Sequence, residues 1–131
     1  MNELKKPLHG RALVVDDVEI NLDIVGNFLQ AYEITVDTAK SGLAALEKIK
    51  NGEVYDIIFM DYMMPGMNGM EATKNIRSLG YDHPIVALTA NALTGTEEMF
   101  VRIGFSGFIS KPINFDQVEQ YLFKFIRDKK G

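Results

Sequence analysis

The stretch Tyr55-Asp56-Ile57-Ile58-Phe59-Met60-Asp61 limits what this chain can fold into more than any other. Its four consecutive apolar residues suit a strand buried on both faces and are too few for a helix by themselves. They stop at a carboxylate, which puts Asp61 at the carboxyl end of a strand, where an open α/β sheet keeps its ligands. The next residues, Tyr62 to Gly69, hold Pro65, Gly66 and an Asn-Gly pair, so they read as a loop over that edge. A lone aspartate in such a place is usually a turn or cap residue. Asp61 does not stand alone.

The same pattern recurs along the chain. Ala12-Leu13-Val14-Val15 is a second apolar run that ends at Asp16-Asp17. From Glu19 the period becomes helical, with Ile20, Ile24, Val25, Phe28 and Leu29 expected on the buried stripe. Ile34 to Ala39 reads as a strand nearer the sheet edge, and Ser41 as the cap of a helix buried through Leu43, Leu46 and Ile49 that ends near Asn51-Gly52. Met70 to Leu79 reads as a helix with Ala72, Ile76 and Leu79 inward and Lys74 and Arg77 outward. Ile85 to Leu88 is a fourth strand, stopping at Thr89-Ala90-Asn91, and a helix follows from Ala92 to Ile103. Gly107 to Ser110 is a short fifth strand leading into Lys111-Pro112, and Phe115, Val118, Leu122, Phe125 and Ile126 form a last stripe after the cap Asn114. Strands alternating with helices in this way predict a parallel sheet covered on both faces.

At 131 residues there is room for one domain, with residues 1–10 expected to be a flexible lead and 11–131 the folded unit. The absence of cysteine removes thiol nucleophiles and cysteine-ligated zinc, and is compatible with a reducing compartment. No apolar run approaches the ~20 residues that span a bilayer, so a soluble, cytoplasmic protein is expected. A net charge of −4 argues against nucleic-acid or anionic-membrane binding, and the tail basic residues Arg127, Lys129 and Lys130 read as a solvated helix end.

Parallel strands share a direction, so Asp16, Asp17, Asp61, Thr89 and Lys111 are expected along one rim. Crowded carboxylates repel unless a cation sits among them. Oxygen ligands without cysteine or a well-placed histidine suit Mg²⁺. The lysine and the hydroxyl point to a phosphoryl group, whose peripheral oxygens a metal, an ammonium and a hydroxyl can share. An aspartate in the middle is then a candidate nucleophile. Singly, each residue has a plainer reading, with Asp17 as a helix cap, Thr89 as a strand-end hydroxyl and Lys111 as a surface charge. Their joint fall at successive strand ends is what argues against coincidence.

These motifs, Val14-Val15-Asp16-Asp17, Met60-Asp61 with Met64-Pro65 and Gly69, Ala87-Leu88-Thr89-Ala90, and Phe108 with Lys111-Pro112, resemble the receiver domain of two-component response regulators over Arg11 to Arg127. The resemblance implies a doubly wound, flavodoxin-like (βα)5 fold of strand order 2-1-3-4-5. It implies that Asp61 takes a phosphoryl group from a phosphohistidine on a histidine kinase or histidine phosphotransfer protein. By the same likeness Asp17, Asp61 and the Met63 backbone carbonyl would bind Mg²⁺ directly and Asp16 through water. Lys111, Thr89 and neighbouring Ala90 would hold the phosphoryl group, and Lys111-Pro112 is a candidate cis peptide. Phe108 stands where many relatives have a tyrosine that turns inward on phosphorylation, and Met63 and Asn91 stand where relatives tune the phosphoryl lifetime. The last two helices and last strand form the surface that receivers use for partners, which allows a homodimer there. His9 and His83 read as solvated loop residues, so the donor is expected on another protein or domain. The wording of Asp17-Val18-Glu19-Ile20-Asn21, Glu71-Ala72-Thr73 and Ala87-Leu88-Thr89-Ala90-Asn91-Ala92 is more like receivers attached to hybrid histidine kinases than like transcription-factor receivers. The resemblance implies a phosphoacceptor module and not a separate enzyme, even where a parent protein is a kinase.

Two other classes share parts of this pattern. An aspartyl-nucleophile phosphatase of the haloacid dehalogenase-like type would place its nucleophile after the first strand in an Asp-x-Asp pattern, where this chain has Asp16-Asp17. A flavodoxin-like cofactor binder would need a phosphate-cradling loop there, which two carboxylates oppose.

Overall fold

The computed structural model describes residues 7–90 and 97–127. Five strands, β1 (Gly10–Val15), β2 (Ile34–Ala39), β3 (Ile57–Asp61), β4 (Ile85–Thr89) and β5 (Gly107–Ser110), form one parallel sheet in the order β2-β1-β3-β4-β5. They alternate with α1 (Glu19–Gln30), α2 (Gly42–Lys50), α3 (Gly69–Ser78), α4 (Glu97–Ile103) and α5 (Phe115–Leu122), the last running into a π turn at Phe123–Arg127. The expected fold class and strand order are those observed.

The sheet separates two apolar layers because successive side chains of a strand point to opposite faces. Ala12, Val14, Ile57, Phe59, Val86 and Leu88 pack beneath α1 and α5, while Leu13, Val15, Ile58, Met60, Ile85 and Ala87 pack beneath α2, α3 and α4. The central strands β3 and β4 are buried along their whole length, which is why they read as unbroken apolar runs. Parallel register brings Asp61 beside Leu88, and Thr89 beside Ser110, so the strand ends are level at one rim.

Several helix faces differ from the sequence expectation. On α1 the buried residues are Leu22, Val25, Gly26 and Leu29, whereas Ile20 is 63% exposed and Ile24 is also exposed. The apolar residues of α1 encircle more than one stripe, so the period is helical but the phase belongs to Leu22 and Leu29. Leu43 and Leu79 are likewise exposed, because Gly42 and Ala45 bring α2 close to its neighbours and Leu79 is already the C-cap of α3. Arg77, expected outward, is half-buried and donates to the carbonyls of Gly104 (2.9 Å), Tyr81 (2.9 Å) and His83 (2.7 Å). Those loop carbonyls turn inward and need a donor, which a guanidinium with five N–H groups supplies. His83 is correspondingly covered in part, its ring tilted against Tyr81. At the start of the chain Leu8 is buried and its N–H donates to Tyr32, so ordered structure reaches into the stretch expected to be a lead.

The caps follow the sequence more closely. Ser41 accepts from the N–H of Ala44, and Asn114 accepts from Asp116 and Gln117. Asn68 and Glu71 close a reciprocal capping box on α3, the helix that follows the loop after Asp61. Asn91 and the start of the expected fourth helix, from Ala92 with Leu93 and Gly95, lie outside the described residues, as do Lys129 and Lys130. Among the described residues no helix is long and apolar enough to cross a membrane.

Candidate functional site

Because β1 and β3 are neighbours and end level, Asp16, Asp17 and Asp61 come together. One carboxylate oxygen from each lies within 4.8 Å of the others. Asp61 is the last residue of β3 and only 4% exposed, Asp16 is also buried, and Asp17 is open to solvent. Lys111, just past β5, sends its ammonium to Asp61 Oδ1 at 3.1 Å and to Asp16 Oδ2 at 3.5 Å. The peptide between Lys111 and Pro112 is cis. Thr89, at the end of β4, is buried, and its carbonyl accepts from the Lys111 N–H, which fixes the two strand ends against each other. Ala90 follows at the surface.

The plainer reading of Asp17 as a cap does not describe the geometry. The N-cap of α1 is Val18, and its N–H is met by Asp16 Oδ1 at 2.9 Å. The other Asp16 oxygen accepts from Asn21 Nδ2 at 3.3 Å. Asp16 is thus held by three donors, whereas Asp17 projects toward solvent beside it.

Electrostatically the pocket is short of positive charge. Burial pushes the Asp61 carboxyl above the usual carboxylate range, the hydrogen bond from Lys111 opposes this, and the nearby Asp16 charge adds to the rise. The lysine shows the converse. Its burial works against the charge, but its bond to Asp61 and the fields of Asp61 and Asp16 outweigh that and hold the ammonium above its ordinary value. Among the described residues, one ammonium bonds Asp61 and Asp16, with the Asp17 carboxylate grouped beside them. The donor set fits a hard divalent cation, since all the available atoms are oxygens and they are already grouped closely enough to share one ion.

The loop after β3 closes one side of this rim. Tyr62 N–H donates to Leu88, Gly69 N–H donates to Tyr62, and Met64 is buried beneath, leaving Met63 66% exposed at the mouth. Gly69 has no room for a side chain, because a Cβ there would lie 2.3 Å from the carbonyl oxygen of Asp61. On the other side Val18, Ile20 and Ile24 are exposed, and a hollow of about 300 Å³ runs between Asn21, Ile24, Lys111, Pro112, Ile113 and Phe115. The sequence reading missed this apolar border and the role of Asn21. The only available signal was a surplus of isoleucine on α1 beyond what one buried stripe can use.

Phe108 lies on β5 with its ring stacked on Phe100 of α4, centroids 4.9 Å apart and planes 20° from parallel. His9 is largely exposed near Glu33, away from this rim.

Comparison with known proteins gives a consistent picture. The response regulator receiver domain profile matches residues 12–123. A two-component response regulator of rice, ORR41, is 36% identical over 88% of this chain and 93% of its own length. Among solved structures, the receiver domain of the Pseudomonas aeruginosa sensor histidine kinase PA1611, which has a magnesium ion coordinated in its active-site cleft, superposes with a TM-score of 0.80 at 30% identity, covering 90% of this chain and 98% of that one. The receiver domain of the Saccharomyces cerevisiae response regulator Ssk1, solved in complex with the histidine phosphotransfer protein Ypd1, superposes with a TM-score of 0.83 at 27% identity, covering 98% and 94%. The chain spans only 20% of a yeast transcription factor and 14% of a plant histidine kinase that it also matches.

Proposed function

The chain belongs to the response regulator receiver domain family, and we propose that its Asp61 accepts a phosphoryl group from a phosphohistidine of a partner, with Asp16, Asp17, Thr89, Ala90 and Lys111 completing the site. The observation that carries this is the convergence of three carboxylates within 4.8 Å, with one ammonium 3.1 Å from Asp61. In the transfer an Asp61 oxygen attacks phosphorus, the P–N bond to the donor ring breaks as the P–O bond of an acyl phosphate forms, and the ring, protonated beforehand on its other nitrogen, leaves as neutral imidazole.

Each side chain has a physical task in that step. Lys111 already bonds the nucleophile, so its ammonium is placed to follow charge onto the incoming phosphoryl oxygens. Thr89 ends the neighbouring strand and offers a hydroxyl at the same rim, with the exposed Ala90 next to it. Asp17, Asp61 and the backbone carbonyl of Met63 would hold Mg²⁺. Asp16, already engaged by Val18 and Asn21, would act on it through water. Bound there, Mg²⁺ supplies positive charge that offsets the carboxylates and draws phosphoryl oxygens into place.

The donor would dock over the mouth. Val18, Ile20, Ile24 and Met63 give an exposed apolar border around a polar centre, which suits a partner histidine protein or kinase domain better than a free metabolite. Output would pass to the α4–β5–α5 face, through Thr89 and Phe108, to a partner or a second copy. The folded unit, expected from residue 11 onward, takes in Leu8 and Gly10 as well, and it would act in the cytoplasm as a module that turns over only its own phosphate.

Incubation with Mg²⁺ and acetyl phosphate, followed by intact-mass measurement, tests the assignment. One phosphoryl adduct is expected, lost when Mg²⁺ is chelated or Asp61 is replaced by Asn. An adduct that persists unchanged in Asp61→Asn would reject it.

A further inference from the structure

The order of the sheet leaves β5 at an edge. In a strand the N–H and C=O of one residue point to the same side, and successive residues alternate. The Lys111 N–H turns toward β4 and donates to Thr89, so the Phe108 peptide groups face the open side. They are met there by one side chain of α5. The Phe108 N–H donates to the Tyr121 hydroxyl oxygen at 3.2 Å, and the Tyr121 hydroxyl donates to the Phe108 carbonyl at 3.3 Å. A single hydroxyl thus fills the rung that a sixth strand would otherwise take.

Two neighbours fix it there. Gly107 leaves the space, since a Cβ on it would fall 2.5 Å from the Tyr121 hydroxyl and 2.6 Å from its ring carbons. Phe125 lies along the ring on the next helical turn, centroids 5.9 Å apart and planes 6° from parallel. Phe108 is therefore held from two directions, its ring by Phe100 of α4 and its backbone by Tyr121 of α5. The same strand runs on into Lys111, whose ammonium bonds Asp61.

We propose that Tyr121 is a positioning residue whose hydroxyl clamps the Phe108 peptide to α5, so that the state of the Asp61 site is transmitted to α5 through this bond. It rests on the reading of Asp61 as phosphoacceptor. Coupling of this kind is reciprocal, so a partner that holds α5 alters the site by the same factor.

The experiment is residue-resolved amide exchange on two variants, Tyr121→Phe, which keeps the ring and removes the hydroxyl, and Gly107→Ala, which keeps the hydroxyl and evicts it. In the resting proteins both are expected to speed exchange of the Phe108 amide roughly two- to tenfold, the range set by losing a neutral hydrogen bond. The amides of Ile58 and Tyr62, bonded elsewhere in the sheet, should keep their rates. After phosphorylation with acetyl phosphate and Mg²⁺, wild type should show altered exchange from Val118 to Leu122, and the variants less than half of that response at an equal Asp61 adduct. Unchanged Phe108 exchange, equal acceleration across the whole sheet, or a full-sized α5 response in both variants overturns the proposal. Absence of any adduct in wild type rejects the phosphoacceptor reading and the transmission with it, while the resting exchange pattern still decides whether the clamp exists.

Discussion

Replacing Gly69 by alanine sets two effects of opposite sign against each other, and the structure decides between them. Gly69 opens α3, and a glycine in a helix is worth up to about 1 kcal/mol less than alanine, partly through the freedom of the unfolded chain. Its backbone is not in the left-handed region, so no conformational penalty attaches to alanine. On propensity alone Gly69→Ala should stabilise. The space argues otherwise, because the new Cβ would lie 2.3 Å from the Asp61 carbonyl oxygen and 2.8 Å from the Tyr62 Cα. A carbon and an oxygen rest at about 3.3 Å or more, so the helix start and the strand end must part by about 1 Å. Neither side is a flexible side-chain tip. The start of α3 is pinned by the Asn68–Glu71 box, and Tyr62 is bonded to Leu88. Overpacking of this kind costs about 1–3 kcal/mol. Set against a propensity gain that is reduced at a first helical residue, the net is a loss of about 1–2 kcal/mol. For a domain of this size that lowers Tm by roughly 3–8 °C. The displaced backbone carries Asp61, so phosphoryl uptake from acetyl phosphate should slow along with the loss of stability. Urea denaturation and an intact-mass time course measure both, and a variant as stable as wild type with unchanged uptake would refute the steric argument.

Asp61→Asn should raise Tm at pH 7 in the presence of a chelator. Because burial lifts the Asp61 pKa in the folded state, the folded protein binds more protons than the unfolded one between the ordinary carboxylate value, about 4, and the raised value, and stability falls as pH rises through that window. The gain from Asn should therefore shrink as pH drops below about 4, and a variant less stable than wild type at pH 7 would contradict the sign. Arg77→Met keeps the apolar stem but leaves the carbonyls of Gly104, Tyr81 and His83 without their donor, so a loss of about 2–4 kcal/mol is expected in urea denaturation. Arg77→Lys should recover only part of it, because one ammonium cannot match the fork that reaches three carbonyls.

What could be read from the sequence divides along physical lines. The strands were legible because a parallel strand between two helix layers must be apolar on both faces, so β3 and β4 appear as unbroken runs with sharp ends. Asp61, Thr89 and Lys111 stand where such runs stop, which is what makes the candidate site legible. Helix phase was harder. Ile20 and Ile24 obey the helical period as well as Leu22 and Leu29 do, and only the packed structure shows which set faces Val14 and Phe59. Arg77 and Tyr121 were missed for a different reason. Arg77 satisfies carbonyls of the loop that follows its own helix as well as Gly104, and Tyr121 satisfies a strand 13 residues away, and no sequence pattern marks a carbonyl or an edge rung that will need a partner.

The exposed isoleucines and the buried aspartate bear on one question, which is why the rim departs from the rules that the rest of the chain obeys. In the two apolar layers large side chains are covered and charges are excluded, whereas at the rim Asp16 and Asp61 are buried and Ile20 and Met63 are open. The inversion is not a packing accident of one residue. Asp16 is fixed by Val18 and Asn21, Lys111 is fixed through the β4 end, and Gly69 admits no side chain, so four separate elements converge to hold carboxylates out of water. A protein selected for stability alone would relieve that pocket with a neutral residue at a single position. Keeping the carboxylates crowded, and ringing them with apolar surface, makes sense where an added cation and an approaching partner relieve both strains at once, the first by neutralising the oxygens and the second by covering the isoleucines.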